Sequence, residues 1–286
     1  MLPEIRTKPV ETLVFRSGAV AFGHFVCPSS HPLFRDSGPC SYHTFVFPRT
    51  VTKIHLADGR QFVGDPTSVV FYNQGQEYTR TKVSEIDACD WFVVADDLLL
   101  DAIEPWDPGV RDRADRPFRH ASAPIAAGVY LEQRRVFHRT ASHRADDRLA
   151  IEETSLFVLA AAIRSAYESR NARRRRREAT ISPDGIDAVK RAIASTPAPE
   201  ISLVDLARLA GCSRYQLCRA FRKATGDTMT GYRHALRMRE ALGRLREGRR
   251  DLTELALDLG YSSHSHFSAV FRRTFGMPPS AWRAIA

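Results

Sequence analysis

The chain has few cysteines, and none is arranged for covalent or metal chemistry. Cys27, Cys40, Cys89, Cys212 and Cys218 are odd in number, and no two stand as C-x-x-C. That pattern argues against a disulfide framework and against a zinc site, and it suits a reducing cytosol. Long apolar runs are also missing. The longest, SLFVLAAAI at 155–163, is far short of the ~20 residues that span a bilayer. The opening segment, MLPEIRTKPVETLVF, has early acidic residues and no apolar core, so no signal peptide is expected. The expectation is a cytoplasmic protein with no membrane partner.

What is present fits a soluble globular chain with room for two domains. Of its 286 residues 43% are apolar and 26% charged. The net charge of +9 is unevenly spread. Residues 183–286 hold 17 Lys/Arg against 10 Asp/Glu, residues 171–182 hold five Arg against one Glu, and residues 1–170 hold 20 against 22. A basic C-terminal part joined to a near-neutral N-terminal part points to a polyanionic partner at one end only, although basic surfaces also occur without any nucleic-acid role.

One pattern occurs twice in the basic part. The first copy is LVDLARLAGCSRYQLCRAFRKATG, Leu203 to Gly226; the second is LTELALDLGYSSHSHFSAVFRRTFG, Leu252 to Gly276. Leu206-Ala207 answers to Leu255-Ala256, Gly211 to Gly260, Ser213 to Ser262, Phe221 to Phe271 and Gly226 to Gly276. The offset is 49 residues up to the turn and 50 after it, so the second copy carries one extra residue. A small Ala lets two helices approach, a Gly takes the positive φ of a tight turn, and a polar residue opens the next helix. Helix, tight turn, helix is the form that lays side chains into a DNA major groove.

The surrounding residues extend this helical reading. Ser182-Pro183 is an N-cap with an N1 proline and opens a helix over 183–195, with Ile186, Val189, Ala192 and Ile193 on one face. Ser202 caps a helix over 203–210. Ser213-x-x-Gln216 forms a capping box at the first recognition helix. There Leu217, Ala220 and Phe221 face inward, leaving Arg214, Tyr215, Cys218, Arg219 and Arg222 outward or at the rim. A long helix over 229–246 follows, buried through Tyr232, Leu236, Met238, Ala241, Leu242 and Leu245; it spans about 27 Å. Helices over 252–259 and 264–275 and one from Pro279 complete the unit.

Residues 10–95 read as strands: Ala19–Val26, Thr44–Phe47, Val51–Leu56, Ser68–Tyr72 and Trp91–Val94, with turns at Asp58-Gly59 and Asn73-Gln74-Gly75. Short strands with turns at this spacing imply a sandwich or barrel. Leu98, Leu99, Leu100 and Ile103 suit a short closing helix, residues 111–122 a polar connector, and Ile125–Phe137 and Leu149–Ser169 two helices. In the second, Ile151, Leu156, Leu159, Ala160, Ile163 and Tyr167 form an apolar stripe, for core packing, a dimer contact or both. Residues 171–182, with Arg173–Arg177, read as a solvated linker, although contact of these arginines with phosphate stays open. The fold class is thus α+β, in three segments: 1–170, helical from about 96; the linker 171–182; and an all-α 183–286.

Residues 183–286 resemble, without gaps, the DNA-binding domain of the AraC/XylS family of bacterial transcription regulators. The signature is the second copy with its tail, GYSSHSHFSAVFRRTFGMPPSAWR. The resemblance implies seven helices with two helix-turn-helix units, double-stranded DNA and RNA polymerase as partners, and an activator. It places Tyr215, Cys218 and Arg219 at base-facing positions of the first recognition helix and His264, Ser265 and Ala269 at those of the second. Many members carry Arg where this chain has Ala269, and Gln is common where His264 stands. The first helix is therefore expected to read bases, and the second to grip the backbone through Arg272 and Arg273. Arg219 suits bidentate recognition of guanine O6 and N7; a phosphate contact is its other reading. For Cys218 the other reading is a small filler at the interface.

The strand-rich region looks similar to the cupin-like β-sandwich or barrel domains that precede this module in many members, and this implies sensing or dimerisation. Metal cupins gather two His and a Glu; here His24, His43 and His55 stand singly, so no metal, cofactor or catalytic residue is expected. Phe45, Tyr72 and Trp91 are candidates for lining an apolar ligand pocket, and equally for plain core. The expected function is a sequence-specific activator, a homodimer responding to a small organic effector. An effector-free dimeric regulator and a cupin-type enzyme with a DNA-binding tail are the alternatives.

Overall fold

The computed structural model describes residues 2, 5, 7–35, 38–141, 148–174, 181–195, 201–247 and 251–285. Contacts divide the chain into two units. One comprises Met1–Ile125 with Glu132–Arg176, the other Ala126–Leu131 with Arg177–Ala286.

In the first unit the strands are β1 (Glu11–Arg16), β2 (Val20–Pro28), β3 (Thr44–Pro48), β4 (Thr52–Leu56), β5 (Gln61–Gly64), β6 (Ser68–Tyr72), β7 (Tyr78–Thr81), β8 (Ile86–Val94) and β9 (Ser122–Pro124). They build a six-stranded sheet, β1-β2-β8-β3-β6-β9, and a three-stranded sheet, β5-β4-β7. All pairings are antiparallel. The five expected strands are present, and Asp58-Gly59 joins β4 to β5. The RQFV side of that hairpin is β5, and sequence reading did not single out β1 or β7. It also placed a connector where Ser122–Pro124 pairs with β6.

Period-two alternation sends side chains to opposite faces of each strand. Ala21, Phe25, Val46, Val70, Tyr72, Trp91 and Val93 form one core with Ile54 and Leu56 of the smaller sheet. The other parity carries Phe22, Phe45, Phe47, Phe71 and Phe92, all at most 2% exposed. Phe137 packs on this second face, with its ring 4.8 Å from Phe22 and 5.7 Å from Phe92. It belongs to α2 (Ala127–Ala141). The large sheet is thus covered on both faces, by the smaller sheet and by helices.

The closing helix is α1 (Asp96–Ile103), and α3 (Arg148–Arg174) packs against α1 and β9. The buried face of α3 departs from the expected stripe. Ile151, Ser155, Val158, Leu159, Ala162, Ile163 and Ala166 are buried, whereas Ala160 is exposed and Leu156 and Tyr167 are half-buried. The small Ser and Ala positions are what the helix packs closely on; Ser165 Oγ donates to the Pro124 carbonyl at 2.5 Å. Residues 171–174 of the expected linker continue α3, and 175–180 lie outside the described residues.

The second unit contains α4 (Pro183–Ser195), α5 (Leu203–Leu209), α6 (Arg214–Thr225), α7 (Met229–Glu247), α8 (Leu252–Asp258), α9 (His264–Phe275) and α10 (Pro279–Ile285). One core joins Ile186, Val189, Ile193, Leu206, Leu217, Phe221 and Tyr232. At the other end of the unit Leu255, Phe267, Phe271 and Trp282 are buried, and α10 packs on α7 and α9. Trp282 is fully buried, and its indole N–H donates to the Leu242 carbonyl at 3.1 Å.

Candidate nucleic-acid interface and ligand cavity

Each helix pair of the second unit is built from local signals. Ser202 opens α5 with a capping box: its Oγ accepts the Asp205 N–H at 3.1 Å. The buried Ala207 of α5 and Ala256 of α8 let the partner helix approach. Gly211 and Gly260 then turn the chain with φ of 63° and 75°, the left-handed region that costs glycine nothing. Gly260 has a second constraint, because a Cβ there would meet the Arg237 guanidinium at 3.2 Å. Ser213 opens α6 with the expected box: its Oγ accepts the Gln216 N–H at 3.3 Å, and Gln216 Oε1 accepts the Ser213 N–H at 3.0 Å.

The second copy differs at one point from the sequence alignment. The cap of α9 is Ser263, not Ser262; Ser263 Oγ accepts the His266 N–H at 3.1 Å. Ser262 instead meets His266 Nδ1 at 3.2 Å. The extra residue therefore lies in the turn, before the recognition helix. Inside the helices Arg214 answers to His264, Tyr215 to Ser265, Cys218 to Ser268, Arg219 to Ala269 and Arg222 to Arg272. Ser268 is a position that sequence reading missed. The offset of 50 after the turn was the signal for it. Its Oγ lies 3.2 Å from His264 Nε2.

Leu217, Ala220 and Phe221 of α6 are buried, as are Phe267, Val270 and Phe271 of α9. Arg214, Cys218, Arg219 and Arg222 are exposed, as are Ser265, Ala269, Arg272 and Arg273, and His264 is half-buried. The Tyr215 side chain lies outside the described residues. Neither recognition helix carries a carboxylate, so nothing on its own surface opposes approach to phosphate. Between them α7 has 19 residues, about 28 Å at 1.5 Å per residue.

The first unit holds a cavity of about 110 Å³ between its two sheets. Of the three aromatic candidates, Tyr72 and Trp91 are among its lining residues. Phe45 is not. On β3 it alternates with the lining residues Thr44 and Val46, so it faces the helices and stacks on Phe92 at 5.1 Å. Residues that sequence reading passed over form the rest of the wall. Arg80 donates to Asp87 at 2.5 Å and to the Leu33 carbonyl at 2.8 Å, and its guanidinium lies over the Phe25 ring at 4.6 Å. An Arg inside the short strand YTRT was the available signal.

The three histidines each have a separate partner. His24 Nδ1 lies 2.8 Å from Asp90, His43 Nδ1 accepts the Gln74 N–H at 3.1 Å, and His55 Nε2 lies 2.9 Å from Thr81 Oγ1. Burial lowers the His43 pKa. No group of three or more His, Cys, Asp or Glu placed to hold a metal occurs among the described residues. Among the same residues no helix is long and apolar enough to cross a membrane.

Residues 206–285 match the family model of a helix-turn-helix domain. The regulatory protein SoxS of Escherichia coli (strain K12) is 40% identical over 78 residues, which cover 27% of this chain and 73% of SoxS. An AraC-like transcription regulator of Streptomyces lividans is 37% identical over 87 residues, 30% of this chain and 29% of its own. Among solved structures, ToxT from Vibrio cholerae O395 covers 94% of this chain and 98% of its own at 11% identity, with a TM-score of 0.35.

Proposed function

The chain belongs to the AraC/XylS family of transcription regulators, and on that premise we propose that it is an activator whose two recognition helices play unequal parts. It is a DNA-binding transcription regulator. The observation that carries the proposal is the contrast between α6 and α9. Both expose a basic, carboxylate-free face, but α6 offers Arg219 where α9 has Ala269. Arg219 can fork onto a guanine edge, and Tyr215 and Cys218 are the other base-reading positions proposed for this helix; Ala269 can offer only a methyl contact. On this reading α9 holds phosphate through Arg272 and Arg273, with His264 and Ser265 at the groove. Arg214 and Arg222 flank α6 on the backbone. The length of α7 suits two major-groove faces one turn, ~34 Å, apart.

The first unit serves as a sensing and dimerising domain rather than an enzyme, and family membership supports RNA polymerase as the protein partner. An effector held between the sheets fits the cavity that Tyr72 and Trp91 line. Dimerisation fits α3, which leaves Leu149 67% and Phe157 56% exposed, eight residues apart on one side of the helix. Pairing two DNA-binding units raises effective concentration at paired sites. Sedimentation of the full-length chain with a fluorescent duplex from upstream of its own gene tests both parts. Co-sedimentation at ~100 mM salt, lost at ~500 mM, is expected because phosphate contacts release counterions. Without DNA a dimer is expected at tens of micromolar. A duplex left unbound at low salt overturns the DNA reading, and a monomer overturns the dimer.

A further inference from the structure

We infer that the cavity of the β-domain selects an uncharged, mostly apolar molecule of about one ring that carries a hydrogen-bond acceptor. This rests on the sensing reading above and narrows it. The argument is a balance of charge and of hydrogen-bonding capacity. Four charged residues line the cavity, Lys8, Glu11, Arg80 and Asp87, two of each sign. The deepest pair is already closed on itself. Arg80 is 7% exposed and gives one nitrogen to Asp87 and another to the Leu33 carbonyl. Its faces are taken by the Phe25 and Phe34 rings, at 4.6 and 5.2 Å. The other Asp87 oxygen accepts the Thr52 hydroxyl at 2.8 Å. In the buried part of the cavity an anionic ligand would have to pull Arg80 from Asp87, and a cationic one Asp87 from Arg80; Lys8 and Glu11, one of each sign and only partly buried, favour neither. Either ion breaks a buried ion pair in an apolar wall, which costs far more than a neutral contact gains.

The unused capacity is neutral. Tyr72 and Tyr78 both line the cavity, with rings 4.5 Å apart. Neither hydroxyl has a hydrogen-bond partner among the described residues, although Tyr72 is only 6% exposed. Two phenol donors in the wall of one cavity suit a carbonyl or ether oxygen. Burial raises the pKa of both tyrosines and of Cys89, and pushes the Cys40 thiol up to about 12, so these walls stay uncharged. The remaining lining is apolar: Val46, Ile54, Val70, Trp91 and Val93. The volume of about 110 Å³ is near the ~150 Å³ of an engineered cavity that takes benzene.

The test is calorimetric titration of the full-length protein with four single-ring probes: acetophenone, ethylbenzene, benzoate and benzylammonium. Acetophenone should bind at least about tenfold more tightly than either ion, because only the ions must break a buried pair. It should also bind more tightly than ethylbenzene, which lacks the acceptor. The double variant Tyr72→Phe, Tyr78→Phe should lose the preference for acetophenone over ethylbenzene while binding ethylbenzene as before. That ratio is insensitive to any general loosening of the domain. If benzoate or benzylammonium binds best, the neutral-ligand inference fails and the sensing reading survives. If the ratio is unchanged in the double variant, the tyrosines do not select the ligand and the inference fails in the same way. If none of the four binds at millimolar concentration, the sensing reading fails with it.

Discussion

Replacing Asp90 with alanine should destabilise the β-domain by about 3–5 kcal/mol, the cost of removing one partner from a buried ionic cluster. Asp90 is fully buried on β8, on the face of the sheet that packs against α2. Its Oδ2 accepts Arg134 at 2.6 Å and Gln133 at 2.8 Å, and its Oδ1 lies 2.8 Å from His24 Nδ1. Arg49 stands 4.0 Å away. Without the carboxylate, Arg134, only 3% exposed, loses the buried anion 2.6 Å from its guanidinium. Gln133 is already short of a partner at Oε1 and would lose its donor contact too. Burial alone would raise the Asp90 pKa, but Arg134, the His24 hydrogen bond and Arg49 outweigh it and hold it well below the usual carboxylate range. A depressed folded pKa means the cluster stabilises the fold in full above the unfolded value, about 4, and loses that contribution as pH falls through the folded value. Urea unfolding measures both effects. A loss below ~1 kcal/mol, the scale of an exposed pair, would show that the cluster does not hold α2 to the sheet.

The second large effect is in the DNA-binding unit. Phe271→Ala should cost about 3–5 kcal/mol, the range for deleting a fully buried aromatic. Phe271 is 0% exposed, between Phe267 at 5.8 Å and Phe275 at 4.8 Å. Its loss opens the packing of α9 below the exposed Arg272 and Arg273. Affinity for DNA should fall with stability, although no DNA-facing side chain has changed. A variant that keeps wild-type thermal stability would show that α9 is not held by this layer.

The two halves were not equally legible, for a physical reason. Helix signals are local. Caps at Ser202 and Ser213, turns at Gly211 and Gly260 and the spacing of Leu217 and Phe221 each concern residues within one or two turns of chain. They placed the two units correctly, apart from the cap shift to Ser263. Adjacent serines at 262 and 263 make either residue a fair cap, and only the backbone chooses. The β-domain depends on parity instead. Its large sheet is buried on both faces, so β6 is SVVFY with every residue buried, and apolar alternation disappears. Phe45 and Tyr72 then look alike in sequence, and only the register of β3 with β6, Thr44 opposite Tyr72 and Phe45 opposite Phe71, sends one to the helices and the other to the cavity. The missed β1 and β7 are short and partly exposed, ETLVFR and YTRT. The Arg80–Asp87 pair that shapes the cavity's charge forms across β7 and β8 and has no local pattern.

Selection of bound sequences from a randomised duplex pool, with the full-length protein, tests the central claim most directly. The wild type should enrich one strong block, read by α6, and a much weaker one about one helical turn, ~10 base pairs, away, where α9 sits. The block facing α6 should carry a guanine that Arg219→Ala no longer requires, with binding weakened by ~1–3 kcal/mol. Arg272→Ala should lower affinity for every sequence alike, as loss of a phosphate contact does, and leave the enriched blocks unchanged. A wild type that enriches nothing, or an Arg219→Ala variant that loses affinity with its base preferences intact, would contradict the division of labour between the two helices.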